Sequence, residues 1–419
     1  MRYLYTILFY LISPILLVRL YWRSRRLSAY RRRILERFGY YPFQLEKCIW
    51  VHAVSVGETI AAVPFIKELI AHYDPIPVLI TNMTPTGAES VKAHFGDSVK
   101  QAYIPYDLPG AMQRFLKTMR PVASIIIETE LWPNLLHACQ KQQIPVCLMN
   151  ARLSQKSANG YARIAGVTRN MLQQLKLIAA QGPADAERFI ALGALPEQVV
   201  VTGNLKFDLV LKPDLSSSIS ALRIILGGAK RFVWVAASTH EGEEEQILAA
   251  HKKIREQCPD ALLLLVPRHP DRFETVAALC AKNFIVKRRS SHEACTHDTA
   301  IYLGDTMGEL LAMCGAADVV FMGGSLIARG GHNILEPAAL GKPILTGPSL
   351  FNFAHISSLF LKANAMKVTT DSDALAEAVV LLIKHPEERE RMGKNALEVM
   401  NNNRGALNKQ LALIYKIVR

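Results

Sequence analysis

The residues of this sequence best placed to do chemistry are carboxylates at helix starts, one lysine and several glycine-rich turns. Val54-Ser55-Val56-Gly57-Glu58-Thr59 follows an apolar run and opens a helical pattern. A glycine there admits another backbone or an acceptor, and the positive end of the helix dipole favours an ionised Glu58. The plainer alternative is a helix-start carboxylate with no further role. Ile127-Glu128-Thr129-Glu130-Leu131-Trp132-Pro133-Asn134 puts two carboxylates at the end of a buried strand, where unpaired charge is costly. Just past the strand they can instead be solvated. Lys206, in Gly203-Asn204-Leu205-Lys206-Phe207-Asp208, can meet these carboxylates or a ligand anion. Taken alone, it reads as a solvated linker lysine.

In the second half, Gly323-Gly324-Ser325 is followed by Arg329-Gly330-Gly331-His332-Asn333-Ile334-Leu335-Glu336-Pro337. An apolar strand runs into a glycine-rich loop and then into a helix for which Asn333 is a favoured N-cap. Glycines let the backbone approach a ligand, and the helix start offers N–H groups and a positive dipole end, together a phosphate site. Glu336, one turn into that helix, can accept from two ribose hydroxyls. A tight turn needing positive φ would explain the glycines equally well. Three further loops at strand ends favour the ligand: Ala237-Ser238-Thr239-His240-Glu241-Gly242, Val266-Pro267-Arg268-His269-Pro270 and Gly304-Asp305-Thr306-Met307-Gly308-Glu309-Leu310. Four loops at equivalent strand ends make one nucleotide pocket in an α/β sheet.

The elements that must position these residues alternate. Strand-like runs occupy 48–54, 77–82, 123–128, 145–150, 177–180 and 199–202, with amphipathic stretches such as 59–72 and 134–143 between them. A serine-rich stretch at 211–220 reads as a linker. The rhythm then restarts at 232–237, 261–266, 283–286, 300–303, 319–322 and 343–345. The expected fold is therefore α/β, with two Rossmann-like doubly wound domains facing across a cleft. The expected division is 1–22 anchor, 23–46 basic segment, 47–210 N-terminal domain, 211–385 C-terminal domain and 386–419 closing helices.

Composition narrows the class. A chain of 419 residues, half of them apolar, has room for two large cores. Its net charge of +13 is unevenly placed, because eight arginines lie between Arg19 and Arg37 against the single acid Glu36. That distribution argues against a nucleic-acid binder with a basic face across its fold. Seven scattered cysteines without a C-x-x-C pair read as reduced, mostly buried thiols, not as disulfides or a zinc site. Residues 3–18 carry no charge and are flanked by Tyr3, Tyr5, Tyr21 and Trp22, ring types enriched at membrane interfaces. The arginines follow at once, which places the rest of the chain on the cytoplasmic side. No cleavage site follows, so a cleaved signal peptide is disfavoured. The run is short for a straight span, and Pro14 and Arg19 leave room for a helix confined to one leaflet.

SVGET (55–59), TPTG (84–87), YDLP (106–109), ETELWPN (128–134), NARLS (150–154), LKFD (205–208), STHEGEE (238–244), VPRHP (266–270), GDTMGEL (304–310) and GGSL…RGGHN-LEP (323–337) occur in this order. Ten collinear blocks along nearly the whole chain make it resemble the 3-deoxy-D-manno-octulosonic acid (Kdo) transferases of Gram-negative bacteria. The resemblance implies a GT-B fold and transfer of Kdo from CMP-Kdo to the lipid A precursor, with inversion at the anomeric carbon. Carried over position by position, Glu58 is the base, and Glu128 and Lys206 assist the transition state. CMP is held by Pro267, Arg268, Met307, Gly308, Glu309, Asn333, Ile334, Leu335 and Glu336.

The chemistry suits that inventory. An acceptor hydroxyl is a poor nucleophile and needs a carboxylate to take its proton. A nucleoside monophosphate leaves readily and asks only for positive charge, which Arg268, Lys206 and the helix start near Asn333 can supply. No cofactor or metal is demanded, since the one Asp-x-Asp, Asp371-Ser372-Asp373, reads as a helix start. Expected partners are CMP-Kdo, the lipid A precursor and anionic membrane lipid at the inner membrane; the sequence names no protein partner. A MurG-like transferase for a UDP-sugar shares the fold but does not account for SVGET and ETELWPN together. A non-catalytic adaptor binding nucleotide or lipid leaves Glu58 and Glu128 without a task.

Overall fold

The structure, a computed structural model, describes residues 2–25 and 28–418, and only the backbone of Leu17, Arg23 and Ser28. Met1, Arg26, Leu27 and Arg419 lie outside the described residues, so the expected anchor, basic segment and closing helices are each followed only in part. The chain divides into two units, one of residues 1–208 with 404–419 and one of residues 209–403.

In the first unit, strands β1 (Cys48–His52), β2 (Val78–Asn82), β3 (Lys100–Tyr103), β4 (Pro121–Ile127), β5 (Val146–Ala151), β6 (Leu177–Ala180) and β7 (Val199–Val201) form one parallel sheet. Their order is β3-β2-β1-β4-β5-β6-β7, so the chain reverses its direction of winding between β1 and β4. Helices cover both faces, which is why β1, β2 and β5 are buried at every residue. Alternation divides the core. Trp50, Phe115, Leu148 and Phe189 pack on one face, and Ile49, Val51, Phe65, Leu69 and Ile125 on the other.

The second unit repeats the plan with β8 (Val233–Thr239), β9 (Leu262–Pro267), β10 (Val286–Arg288), β11 (Ile301–Leu303), β12 (Val319–Met322), β13 (Ile344–Thr346) and β14 (Met366–Val368). The parallel order is β10-β11-β9-β8-β12-β13-β14, and the reversal falls between β8 and β12. Trp234, Ala236, Leu263, Leu265 and Phe321 form its core with Ile247 and Val379 from the flanking helices.

Several expectations change. Edge strands β3 and β14 escaped the sequence reading because they are short and carry exposed polar residues, Lys100 and Lys367. The expected linker at 211–220 is instead largely helix, Leu215–Ile225, in which the Ser217 and Ser218 hydroxyls donate back to the Asp214 carbonyl. The closing stretch 386–419 is not one block. Helix Pro386–Asn402 stays with the second unit, whereas Ala406–Ile417 returns to the first. There Asp208 caps it, accepting from the N–H groups of Gly405 (2.6 Å) and Leu407 (2.7 Å). Leu411, Ile414 and Val418 join the first core, and Tyr415 stacks on His72.

An apolar helix, Arg2–Ser24, runs through Pro14 and is long and apolar enough to cross a membrane, with a mean hydropathy of 1.8 over residues 2–22. One side of it rests on the first unit. Thr6 donates to Asn134 (3.1 Å), and Phe9, Leu16 and Leu20 pack against Tyr106, Leu108 and Ala111. Tyr3, Leu4, Leu8, Leu11, Ile15 and Trp22 face outward. The arginines that follow are not one solvated patch. Arg37 is buried and donates to the Met83 carbonyl (2.6 Å), and Arg33 grips Glu36, whose carboxylate also accepts the Tyr103 N–H (2.8 Å). Arg19, Arg25, Arg31 and Arg32 remain exposed.

Candidate active site

Ligands of open α/β sheets bind at the carboxyl ends of strands where the winding reverses. In the first unit that point lies between β1 and β4, and the sequence-selected carboxylates follow these two strands. Ser55 caps helix Val56–Tyr73 and donates to Glu58 Oε1 (2.9 Å), while the Val54 N–H donates to Oε2 (2.7 Å). Burial pushes the Glu58 carboxyl up to about 7, and the neighbouring charges of Glu128 and Glu130 act in the same direction. The helix dipole was expected to favour the ionised form. Desolvation wins, because the carboxyl is folded back over the helix start and shielded from water.

Glu128 directly follows β4 in the left-handed region, at φ 61°, with its N–H on the Met149 carbonyl (2.9 Å). A non-glycine residue held there is strained, as often happens at functional positions. Its Oε1 accepts from Lys206 Nζ at 3.2 Å. Lys206 is therefore no solvated linker residue. It sits in the short turn Leu205–Phe207, between two buried apolar side chains, and Asn150 Oδ1 holds the Leu205 N–H (3.0 Å). With side-chain exposures of 28% and 23%, the two groups give up part of their hydration, which offsets their attraction, so the pair's importance is in placing charge.

Two residues here received no role from the sequence. Burial raises the Glu130 carboxyl, which accepts from Trp132 Nε1 (2.9 Å). His52 ends β1, fully desolvated and pushed down to about 4, with Nδ1 2.9 Å from Thr81 Oγ1 and its ring edge-on to Trp132. The one signal for His52 was its place at a strand end.

In the second unit the reversal point lies between β8 and β12. A Cβ on Gly323 would stand 2.7 Å from the Ser238 carbonyl, and one on Gly324 (φ +66°) 2.9 Å from the His332 ring. Close approach thus requires both glycines. The N–H groups directly after Gly323 are already paired. Glu243, fully buried, accepts from Gly324 (2.6 Å), Ser325 (2.9 Å), Leu326 (2.9 Å) and His240 (3.2 Å). The next helix is short, Leu335–Ala339, with Ile334 and not Asn333 at its cap position. Asn333 still accepts the Leu335 N–H (3.2 Å) and donates to Glu336 Oε1 (3.2 Å). Five residues make a weak dipole, and one of its end groups is already taken.

Burial raises the Glu336 carboxyl, opposed by the Asn333 bond and the charge of Arg268. Ile334 and Leu335 are only 1% exposed, so only their backbone can meet a ligand. Arg268 follows Pro267, the last residue of β9, anchors its N–H on the Thr239 carbonyl (3.0 Å) and leaves its side chain exposed. His240 and His332 lie nearly parallel with Nε2 atoms 2.8 Å apart, and His269 stands edge-on to His240. Burial, mutual repulsion and the nearby arginines push His240 down, and His332 down to about 4. These imidazoles were passed over, although each of three strand-end loops carries one.

The structure brings Arg268, His240, His332 and Glu336 together, but treats the loop after β11 differently. Met307 is exposed and Gly308 is left-handed at φ +85°. Glu309 is gripped by Arg289 (2.8 and 3.1 Å), which holds its carboxyl below the usual range. Among the described residues no hydrogen bond or ion pair joins 307–309 to the Arg268 group, and no cluster of three or more His, Cys, Asp or Glu is arranged to hold a metal. Asp371 caps helix Ser372–Lys384, as its pattern suggested. The cysteines are free thiols, five of them buried. A cavity of about 350 Å³ near Arg2, His137 and Asn170 contains none of the selected residues.

Residues 32–209 match the family model described as 3-deoxy-D-manno-octulosonic-acid transferase (kdotransferase), and residues 227–399 that of glycosyl transferases group 1. A 3-deoxy-D-manno-octulosonic acid transferase of Haemophilus influenzae is 43% identical over 99% of this chain and 98% of its own length. One from Bordetella pertussis is 35% identical over 94% of each chain. Among solved structures, a UDP-GlcNAc 2-epimerase from Neisseria meningitidis, 15% identical, superposes with a TM-score of 0.59, covering 88% of this chain and all of the epimerase. That likeness concerns the fold alone.

Proposed function

Because the chain belongs to the 3-deoxy-D-manno-octulosonic acid transferase family, a group of glycosyltransferases with two doubly wound domains of the GT-B type, we propose that it moves Kdo from CMP-Kdo to the lipid A precursor. The observation that carries the mechanism is Glu58, a carboxyl at the winding reversal of the first sheet whose affinity for protons is tuned to about pH 7. A base with that affinity is available at neutral pH and binds a proton strongly enough to withdraw it from a hydroxyl. The acceptor oxygen forms its bond to the anomeric carbon while the carbon–phosphate-oxygen bond breaks. The proton goes to Glu58, and CMP departs with the bonding electrons. Lys206, paired with Glu128, adds positive charge as the phosphate leaves.

CMP is held in the second unit, with its phosphate toward Arg268 and its ribose hydroxyls toward Glu336. The exposed guanidinium and the part-buried carboxyl near it support this assignment. A monophosphate leaving group needs no metal to bridge phosphates, so the reaction proceeds without one. The outward face of helix Arg2–Ser24, with exposed Arg19, Arg25, Arg31 and Arg32 beyond it, supports attachment to the cytoplasmic face of the inner membrane, where anionic lipid attracts cations. Supplying CMP-Kdo and the lipid A precursor together should release CMP and yield a lipid heavier by whole Kdo residues in mass spectrometry. Release of CMP without any change in the lipid would mean that Kdo passes to water and that the lipid A precursor is not the acceptor.

A further inference from the structure

Glu243 is a buried carboxylate whose charge is met by amides. Arg272 pairs with Glu244 (3.2 Å) and Glu241 (3.8 Å), the acids on either side of the 242–243 turn, while Glu243 turns inward to four backbone N–H groups. Successive amides of this kind form a nest that accepts anions. Burying a carboxylate is costly, and the same amides could serve a solvated loop at no such cost. What distinguishes the arrangement is which loops it joins. Gly324, Ser325 and Leu326 follow β12, and His240 follows β8, the two strands that flank the winding reversal.

The donor-side groups hang from those loops. His332 lies over Gly324 and against His240, and the Gly331 N–H returns to the Gly324 carbonyl (2.8 Å), which ties in the run leading to Glu336. Arg268 is anchored on the Thr239 carbonyl, one residue before His240. We propose that Glu243 is a positioning residue for donor binding: its carboxylate fills the amide nest as a built-in anion and so sets His240, His332 and Arg268 in place for the nucleotide. This inference rests on the reading that the second unit holds CMP.

The test uses the full chain and the variants Glu243→Ala and Glu243→Gln. Affinity for CMP is measured by calorimetry, donor KM and kcat by transfer assay, and folding by thermal unfolding. Glu243→Ala should weaken CMP at least about tenfold and raise donor KM similarly, with a smaller effect on kcat. Sodium formate, which re-enters the vacated nest, should restore most of the loss, whereas sodium chloride at equal ionic strength should not. Should the alanine variant fail to fold, Glu243→Gln decides: it keeps the volume but sets an amide NH₂ against amide donors, and should weaken CMP at least about fivefold. CMP affinity within about twofold of the parent in a folded variant overturns the proposal, as does a loss that chloride relieves as well as formate. A parent chain that does not bind CMP at all sinks the donor reading itself, and this inference with it. A parent that binds, with variants that bind equally well, sinks this inference alone.

Discussion

A carboxyl that titrates near neutrality has opposite effects on activity and on folding. Glu58 rises from an ordinary value of 4.5 to about 7, so the folded chain holds that proton more tightly than the unfolded one. Its contribution to stability is therefore complete below about pH 4 and is lost as pH climbs through 7. In the proposed mechanism activity runs the other way, because only the deprotonated form can act as base. Turnover should rise through about pH 7 and then level off. Glu58→Gln should lose that rise together with a factor of ~10²–10⁴ in kcat, while keeping CMP affinity. A variant with the parental rate and profile would transfer the role of base to another group. On the donor side, Glu336→Ala should weaken CMP roughly ten- to a hundredfold by calorimetry, the cost of losing a charged hydrogen-bond partner. Most candidate residues were legible because they lie within a few positions of a strand end, and Asn333 to Glu336 because they follow a glycine-rich loop into a helix. What their neighbours do was not. Glu243 meets Gly324 across 81 positions, and His240 meets His332 across 92, so no local pattern could reveal that the glycine loop is already filled.

At the scale of elements, periodicity and burial explain both what could be read and what could not. Strands buried on both faces announce themselves as unbroken apolar runs, and β1, β4, β8 and β9 were recognised for that reason. Edge strands β3 and β14 hold their places by pairing with a single neighbour, and their sequences carry little sign of it. Helix Leu215–Ile225 was hidden by serines that ordinarily favour turns, yet here bond back along the helix. Capping makes a sharper test. Asp208 satisfies two N–H groups at the start of Ala406–Ile417. Asp208→Ala should cost about 1–2 kcal/mol locally, seen as faster amide hydrogen exchange across 406–417, with CMP affinity unchanged. Protection of that helix at parental levels would show that its packing, not its cap, holds it.

For the whole molecule, the apolar helix and the two sheets are separable in their cores. Among the described residues, neither sheet core includes one from Arg2–Ser24; that helix meets the first unit at a small satellite cluster around Tyr106 and by hydrogen bonds to Asn134. A chain lacking residues 1–20 should fold, bind CMP and associate with anionic vesicles only at low salt, through the remaining exposed arginines. Flotation with vesicles at two ionic strengths measures this, and a truncated chain that misfolds would make the segment part of the core. The return of Ala406–Ile417 to the first unit has a further consequence for synthesis on the ribosome. Multidomain chains generally complete their domains in the order in which they emerge. Here residues 209–403 are contiguous and all emerge before the helix that Asp208 and Gln410 fasten into the first unit. The unit begun first is thus finished last, and its sheet must wait for helix Ala406–Ile417 until the whole second unit has been made.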